Sequence, residues 1–118
     1  MKSKTIITQA KKVFRDYKII DRFIAGIVLT GNEIKSLRSR QVSISEAYIL
    51  PQRGELYVVN MSIAAYKYSN PRDLTKIYDS RRRKKILLKK KEINKLIGAM
   101  KAKNYALIPL QIFINDRG

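Results

Sequence analysis

The sequence predicts a mainly β fold, a small β-barrel with two or three helices packed on it. Three observations carry this. The 118 residues suffice for one compact core and are too few for two. Most apolar residues fall in short runs, many of them β-branched or aromatic, separated by turn chemistry. Two segments carry helical signals instead: a capped helix start, and an i, i+3, i+4, i+7 stripe.

Taken in order, residues 1–12 are polar and basic and read as a flexible arm, with residues 13–118 as the single domain. Phe14 to Leu29 reads as extended. Tyr17, Ile19, Asp21 and Phe23 share one parity, and Gly26 inside the run points to a bulge or a sharp bend. From Gly31 to about Arg40 a helix is expected. Thr30 and Glu33 have the spacing of a capping box, in which each side chain satisfies the other's backbone N–H. This helix is expected to bury Ile34 and Leu37 and to present Lys35, Arg38 and Arg40.

A hairpin follows, with SEAYIL (45–50) and ELYVVNM (55–61) flanking a Pro51-Gln52-Arg53-Gly54 turn. Ile63 to Tyr66 reads as a short strand, and 67–80 as a long loop with one helical turn. Arg81 to Lys85 are five consecutive cations, read as a loop ahead of a second helix from about Lys89 to Lys103. Ile93, Leu96, Ile97 and Met100 form that helix's buried stripe. Tyr105 to Ile114 reads as a last strand, with Pro109 at an edge or bulge. Among small barrels with helices at their ends, the oligonucleotide-binding barrel is the usual member.

Composition narrows the function. With 26 Lys and Arg against 9 Asp and Glu, net charge is +17, and the hydrophobic fraction of 45% marks a folding sequence. A domain this basic repels itself, so a polyanion is the natural partner. The plainer alternative is a Lys- and Ile-rich composition whose cations are merely solvated. The absence of Cys leaves no disulfide and no thiolate zinc site, and the absence of His removes the commonest general base and metal ligand. No stretch is apolar and long enough to span a bilayer, and the N-terminus lacks a signal-peptide pattern, so cytoplasm is the expected location and no membrane role is expected.

No catalytic constellation can be assembled, and the chain is expected not to be an enzyme and to need no cofactor or metal. The acids are scattered. Glu33 is better read as a cap, and Glu92 suits the first turn of a helix. Asp16 and Asp21, five apart on the expected strand, point to opposite faces. No phosphate-cradling GxxxxGK[ST] loop and no GxSxG turn is present. The cations from Arg81 to Lys95 can instead track a phosphate backbone, releasing counterions as they do so. Phe23, Tyr48, Tyr57 and Phe113 lie in expected strands and read as core. Tyr66, beside Lys67, is the better candidate for base stacking.

The stretch AGIVLTGNEIKSLRSR (25–40) resembles the signature of the SsrA-binding protein family, also called small protein B. Other matches follow in order: Asp16-Tyr17, SEAYIL with Gly54-Glu55, Asp79 with Arg82, Lys84, Lys85, Leu87 and Leu88, then Lys91, Glu92, Ile93 and Leu96, and Leu107-Ile108-Pro109-Leu110. The resemblance runs from Asp16 to Phe113. It implies an oligonucleotide-binding-type barrel that binds the tRNA-like domain of transfer-messenger RNA and delivers it to stalled ribosomes for trans-translation. It also implies contact with ribosomal RNA, elongation factor Tu as a companion, and action as a monomer. Ile24 stands where the family usually has a Glu tied to RNA binding, and Ala10 where Asn often falls. The family pattern continues past the position of Gly118 with a strand and a basic tail, so the sequence reads as C-terminally short. Expected RNA contacts are Arg22, Lys35, Arg38, Arg40, Tyr66, Arg81, Arg82, Lys84, Lys85 and Leu87. For Leu87 two readings stand, packing on an unstacked nucleotide or burial in the core. The alternative function is that of a ribosomal or generic structural RNA-binding protein.

Overall fold

The computed structural model describes residues 4–11, 13–64 and 81–115. Among these residues, eight strands and three helices follow one another as β1 (Lys4–Gln9), α1 (Val13–Asp16), β2 (Gly26–Ile27), α2 (Gly31–Arg38), β3 (Val42–Ser43), β4 (Tyr48–Gln52), β5 (Glu55–Val59), β6 (Ser62–Ile63), β7 (Lys84–Leu87), α3 (Lys90–Lys103) and β8 (Gln111–Asn115). The mainly β expectation holds. The strands form three sheets, β1-β8, β2-β7-β5-β4 and β3-β6, all pairs antiparallel. Among the described residues no continuous ladder closes these sheets into a barrel. The Ile49 N–H on β4 donates to the Leu107 carbonyl, 2.9 Å, ahead of β8.

The N-terminal segment corrects the sequence reading. Lys4–Gln9, expected as part of a flexible arm, is a strand paired along its length with β8. A register shift between Ile6 and Thr8 turns Ile7 inward, where it is buried, and leaves Ile6 exposed. Two apolar residues in a basic stretch carry no period-2 signal, which is why the pairing was not legible. The expected strand from Phe14 to Leu29 is also corrected. Val13–Asp16 is a helical turn, residues 17–25 have no regular structure, and only Gly26–Ile27 joins the sheet, against Leu87 and Ile86. Asp16 and Asp21 therefore do not share a strand. Gly26 eases a close approach: a Cβ there would lie 3.3 Å from the Leu87 Cβ, a tight contact.

The hairpin forms with a tighter turn than expected. Pro51 and Gln52 stay in β4, and the loop is Arg53-Gly54, whose φ angles of 52° and 75° are the left-handed pair that a type I′ turn demands. Pro51 is tolerated because β4 is an edge of its sheet. Of the short strand expected at 63–66, Ser62–Ile63 is present as β6, paired with β3. The long loop expected at 67–80 lies outside the described residues.

Two apolar clusters hold these elements together. The larger contains Ala10, Val13, Ile44, Ala47, Val58, Met61 and Ile63. The smaller contains Leu56, Ile93 and Leu96, which seats the α3 stripe on the sheet, with Ile97 packed against it. Ile49 and Ile86 touch both. Helix α3 ends at Asn104, which takes the left-handed conformation of a C-cap. The strand expected over 105–114 is shorter, Gln111–Asn115, leaving Pro109 outside it. Leu56 joins β5 to α3 and is almost fully buried. Leu56→Ala is expected to destabilise the protein by about 2–5 kcal/mol in urea unfolding followed by circular dichroism, because the rigid sheet cannot collapse onto the cavity.

Candidate nucleic-acid interface

The interface is built on α2 and β7, and a buried ionic network joins them. The capping box forms as its spacing predicts. The Glu33 N–H donates to Thr30 Oγ1 at 3.2 Å, and the Thr30 N–H donates to Glu33 Oε1 at 2.8 Å. The helix then buries Glu33, Ser36 and Leu37 and leaves Ile34 38% exposed, correcting the expected Ile34/Leu37 face. Glu33 is tolerated inside because cations meet it there. Arg82 donates to Glu33 Oε1 at 2.5 Å, and Lys84 Nζ stands 3.9 Å from Glu33 Oε2.

Lys84 is 0% exposed, and its ammonium also donates to the Met61 and Arg82 carbonyls at 3.2 and 2.6 Å. Burial pushes the Glu33 carboxyl up. The Arg82 guanidinium bond, the Thr30 N–H and the charges of Arg82 and Lys84 outweigh that and hold it below the ordinary carboxylate range.

This network overturns part of the expected contact set. The cluster from Arg81 to Lys85 is not one loop, since Lys84 and Lys85 begin β7. Lys84 cannot reach a phosphate. It shares a strand face with Ile86, opposite Val58, and that face is the core. Arg82 is half committed, bound to Glu33 with its side chain partly exposed. Arg40 takes a left-handed φ of 61° and donates to the Ile6 and Ile7 carbonyls at 2.7 and 3.1 Å, so it ties the end of α2 to β1. Lys35 and Arg38 lie exposed on α2, Arg81 just before β7, and Arg22 in the irregular segment before β2. Tyr66 lies outside the described residues.

Leu87 is 50% exposed, which decides against core burial. Ile24 is 77% exposed near the start of β2, two residues before the Gly26 that pairs with Leu87. Phe23 and Tyr48, expected in the core, are both 45% exposed. Arg83, which was not singled out in the sequence, donates to Gln52 and lies 5.7 Å from the centre of the Tyr57 ring. Strand parity was the signal for it: residues 83, 85 and 87 alternate with the buried Lys84 and the partly buried Ile86.

Residues 7–118 match the family described as SmpB protein. The chain belongs to the SmpB family. It is 42% identical over 113 residues to the SsrA-binding protein of Wolbachia pipientis subsp. Culex pipiens (strain wPip), covering 96% of this chain and 73% of that one. It is 44% identical over 113 residues to the SsrA-binding protein of Ehrlichia ruminantium (strain Gardel), covering 96% and 74%. It is also similar to a chain of the solved structure "tmRNA-SmpB: a journey to the center of the bacterial ribosome", with a TM-score of 0.67 and 34% identity over 99% of this chain and 76% of that one. Among the described residues of this SmpB-family chain, no group of acids could hold a metal ion, and no helix is long and apolar enough to cross a membrane.

The depressed Glu33 carboxyl makes stability depend on pH. A carboxyl whose pKa is lower folded than unfolded stabilises fully above its unfolded pKa, and loses that contribution as pH falls through the folded value. Stability is therefore expected to decline with acidification across and below the ordinary carboxylate range. Glu33→Gln, which strands the buried Lys84, is expected to cost about 3–5 kcal/mol at neutral pH and to flatten that acid limb in urea melts collected as a function of pH.

Proposed function

We propose that this chain binds the tRNA-like domain of transfer-messenger RNA and delivers it to stalled ribosomes for trans-translation. Membership of the SmpB family carries the reading, together with the likeness to the tmRNA-SmpB structure over nearly the whole chain. The physics of the chain supports it. A folded domain of net charge +17 keeps cations on rigid elements, Lys35 and Arg38 on α2 and Lys85 on β7, where they can meet phosphates without the entropic cost of ordering a loop. Leu87 and the bare Gly26 beside it offer an apolar spot at the same edge, suited to an unstacked base.

The protein acts as a scaffold and not as an enzyme. Its work is to position one RNA against another, in the cytoplasm, with elongation factor Tu as a companion and as a monomer. An oligonucleotide-binding-type barrel is the architecture to which the three sheets belong in this reading. Arg22 and Arg81 add charge around the edge, and Arg82 contributes the part of its guanidinium that Glu33 leaves exposed.

A salt-titrated gel shift tests this with the tRNA-like domain, an elongator tRNA and a ribosomal RNA fragment of equal length. Preference for the tRNA-like domain that survives near-physiological salt is expected. Equal affinities that collapse together with salt would overturn the assignment in favour of a generic RNA binder. Combining Arg38→Ala with Lys85→Ala is expected to weaken binding and to flatten the plot of log affinity against log salt by about one unit per lost phosphate contact.

A further inference from the structure

The four-stranded sheet has one face on the core, and among the described residues no other element packs against its second face. Register settles which side chains share the open face. Opposite each other in pairs stand Tyr48 and Val59, Leu50 and Tyr57, and Gln52 and Glu55, while Tyr57 also faces Lys85 on β7. Leu87 has the parity of Lys85, and Arg83, one step before the strand, reaches across to Tyr57 and Gln52. The alternate residues Leu56, Val58, Lys84 and Ile86 face the two apolar clusters or the Glu33 network. The outer surface is thus an aromatic centre with cations around it. Among the described residues, the one acid on it, Glu55, already has Lys85 and Lys90 at 3.8 and 3.5 Å.

We infer that this open face, centred on Tyr57 and Arg83 and continued by Tyr48, stacks unpaired bases of a single-stranded RNA segment. The inference rests on the RNA-binding reading above and adds a site to it. A protein partner of ordinary apolar chemistry fits the face less well, because Lys85 and Arg83 stand beside the aromatic rings. A polyanion with flat bases fits both features. Arg83 lies over the Tyr57 ring and donates to Gln52, and a guanidinium plane can accept a base as an aromatic ring does. The arrangement reads no sequence, because every base has a π-face. It separates single strands from duplexes, whose bases are already stacked on one another.

The test uses the full chain with a fluorescent oligouridylate and an oligoadenylate of about twelve nucleotides, a duplex RNA of the same length, and the tRNA-like domain of transfer-messenger RNA. Tyr57→Leu keeps the half-buried apolar volume, and Tyr57→Phe keeps the ring. Tyr57→Leu is expected to weaken single-strand binding at least fivefold, with unchanged salt dependence and unchanged duplex binding, while Tyr57→Phe binds as the parent does. Thermal melts of both variants verify that the sheet is intact.

Ultraviolet crosslinking of a 4-thiouridine-substituted strand is expected to mark Tyr57, Tyr48 or the Arg83 peptide. Equal single-strand affinity of the parent, Tyr57→Leu and Tyr57→Phe, or crosslinks confined to other peptides, would overturn the inference. A parent chain that binds the oligonucleotides through Tyr57 but shows no preference for the tRNA-like domain would leave this site standing and sink the broader assignment instead.

Discussion

The buried carboxylate of Glu33 fixes the geometry on which everything else rests. It caps the first turn of α2 through Thr30, and it also draws Lys84 and Arg82 from the start of β7. Lys84 in turn holds the Met61 carbonyl, beyond the end of β5. One side chain therefore locks a helix start, a strand start and a loop into a single arrangement. Two charges removed from water cost several kcal/mol each, and only close geometry with further hydrogen bonds offsets that. The carboxylate and ammonium here have those bonds. An apolar replacement of similar volume could pack equally well, but it would not dictate which residue of the basic run turns inward.

That choice of register decides the character of the whole surface. A strand flips every side chain to the opposite face when it slips by one residue. Because Lys84 is the inward residue, Ile86 is inward too, and Lys85 and Leu87 must point out. The alternative register would bury Lys85 and Leu87 and place Ile86 on the surface. The run of consecutive cations is ambiguous in sequence because its members look alike. The structure divides them by parity and by partner: Lys84 serves the core, Arg82 bridges, Arg83 lies on a tyrosine, and Lys85 faces solvent. Arg40 uses one guanidinium nitrogen to tie α2 to β1 while staying exposed.

Much of this is legible in the sequence. The capping box at Thr30 and Glu33, the α3 stripe through Ile93 and Leu96, the hairpin and the mainly β class all follow from local chemistry, and local chemistry is what a sequence displays. The failures share one cause. The pairing of β1 with β8, the burial of Lys84 and the exposure of Tyr48 depend on contacts between residues far apart in the chain. Charge favours the surface and aromaticity the core, but Lys84 and Tyr48 each obey the parity of their strand instead. The alternation of Lys84, Lys85, Ile86 and Leu87 held that information. It was masked because the segment was read as a loop followed by an apolar run.

The division of labour among the cations bears on how such a protein can be selective. Counterion release grows with the number of phosphates neutralised and is indifferent to which RNA supplies them. A chain with net charge +17 has that contribution in excess, and alone it would bind any RNA. Selectivity has to come from groups that require something other than phosphate in a defined place. Leu87 beside Gly26, and the Tyr57–Arg83 pair on the open sheet face, are fixed by the same strand parity and lie on one side of β7. On the proposed reading, an RNA that presents unstacked bases at that spacing uses both, so its fold adds selectivity to the affinity that charge supplies. The buried network that orients β7 is thereby upstream of recognition, although neither Glu33 nor Lys84 can touch the RNA.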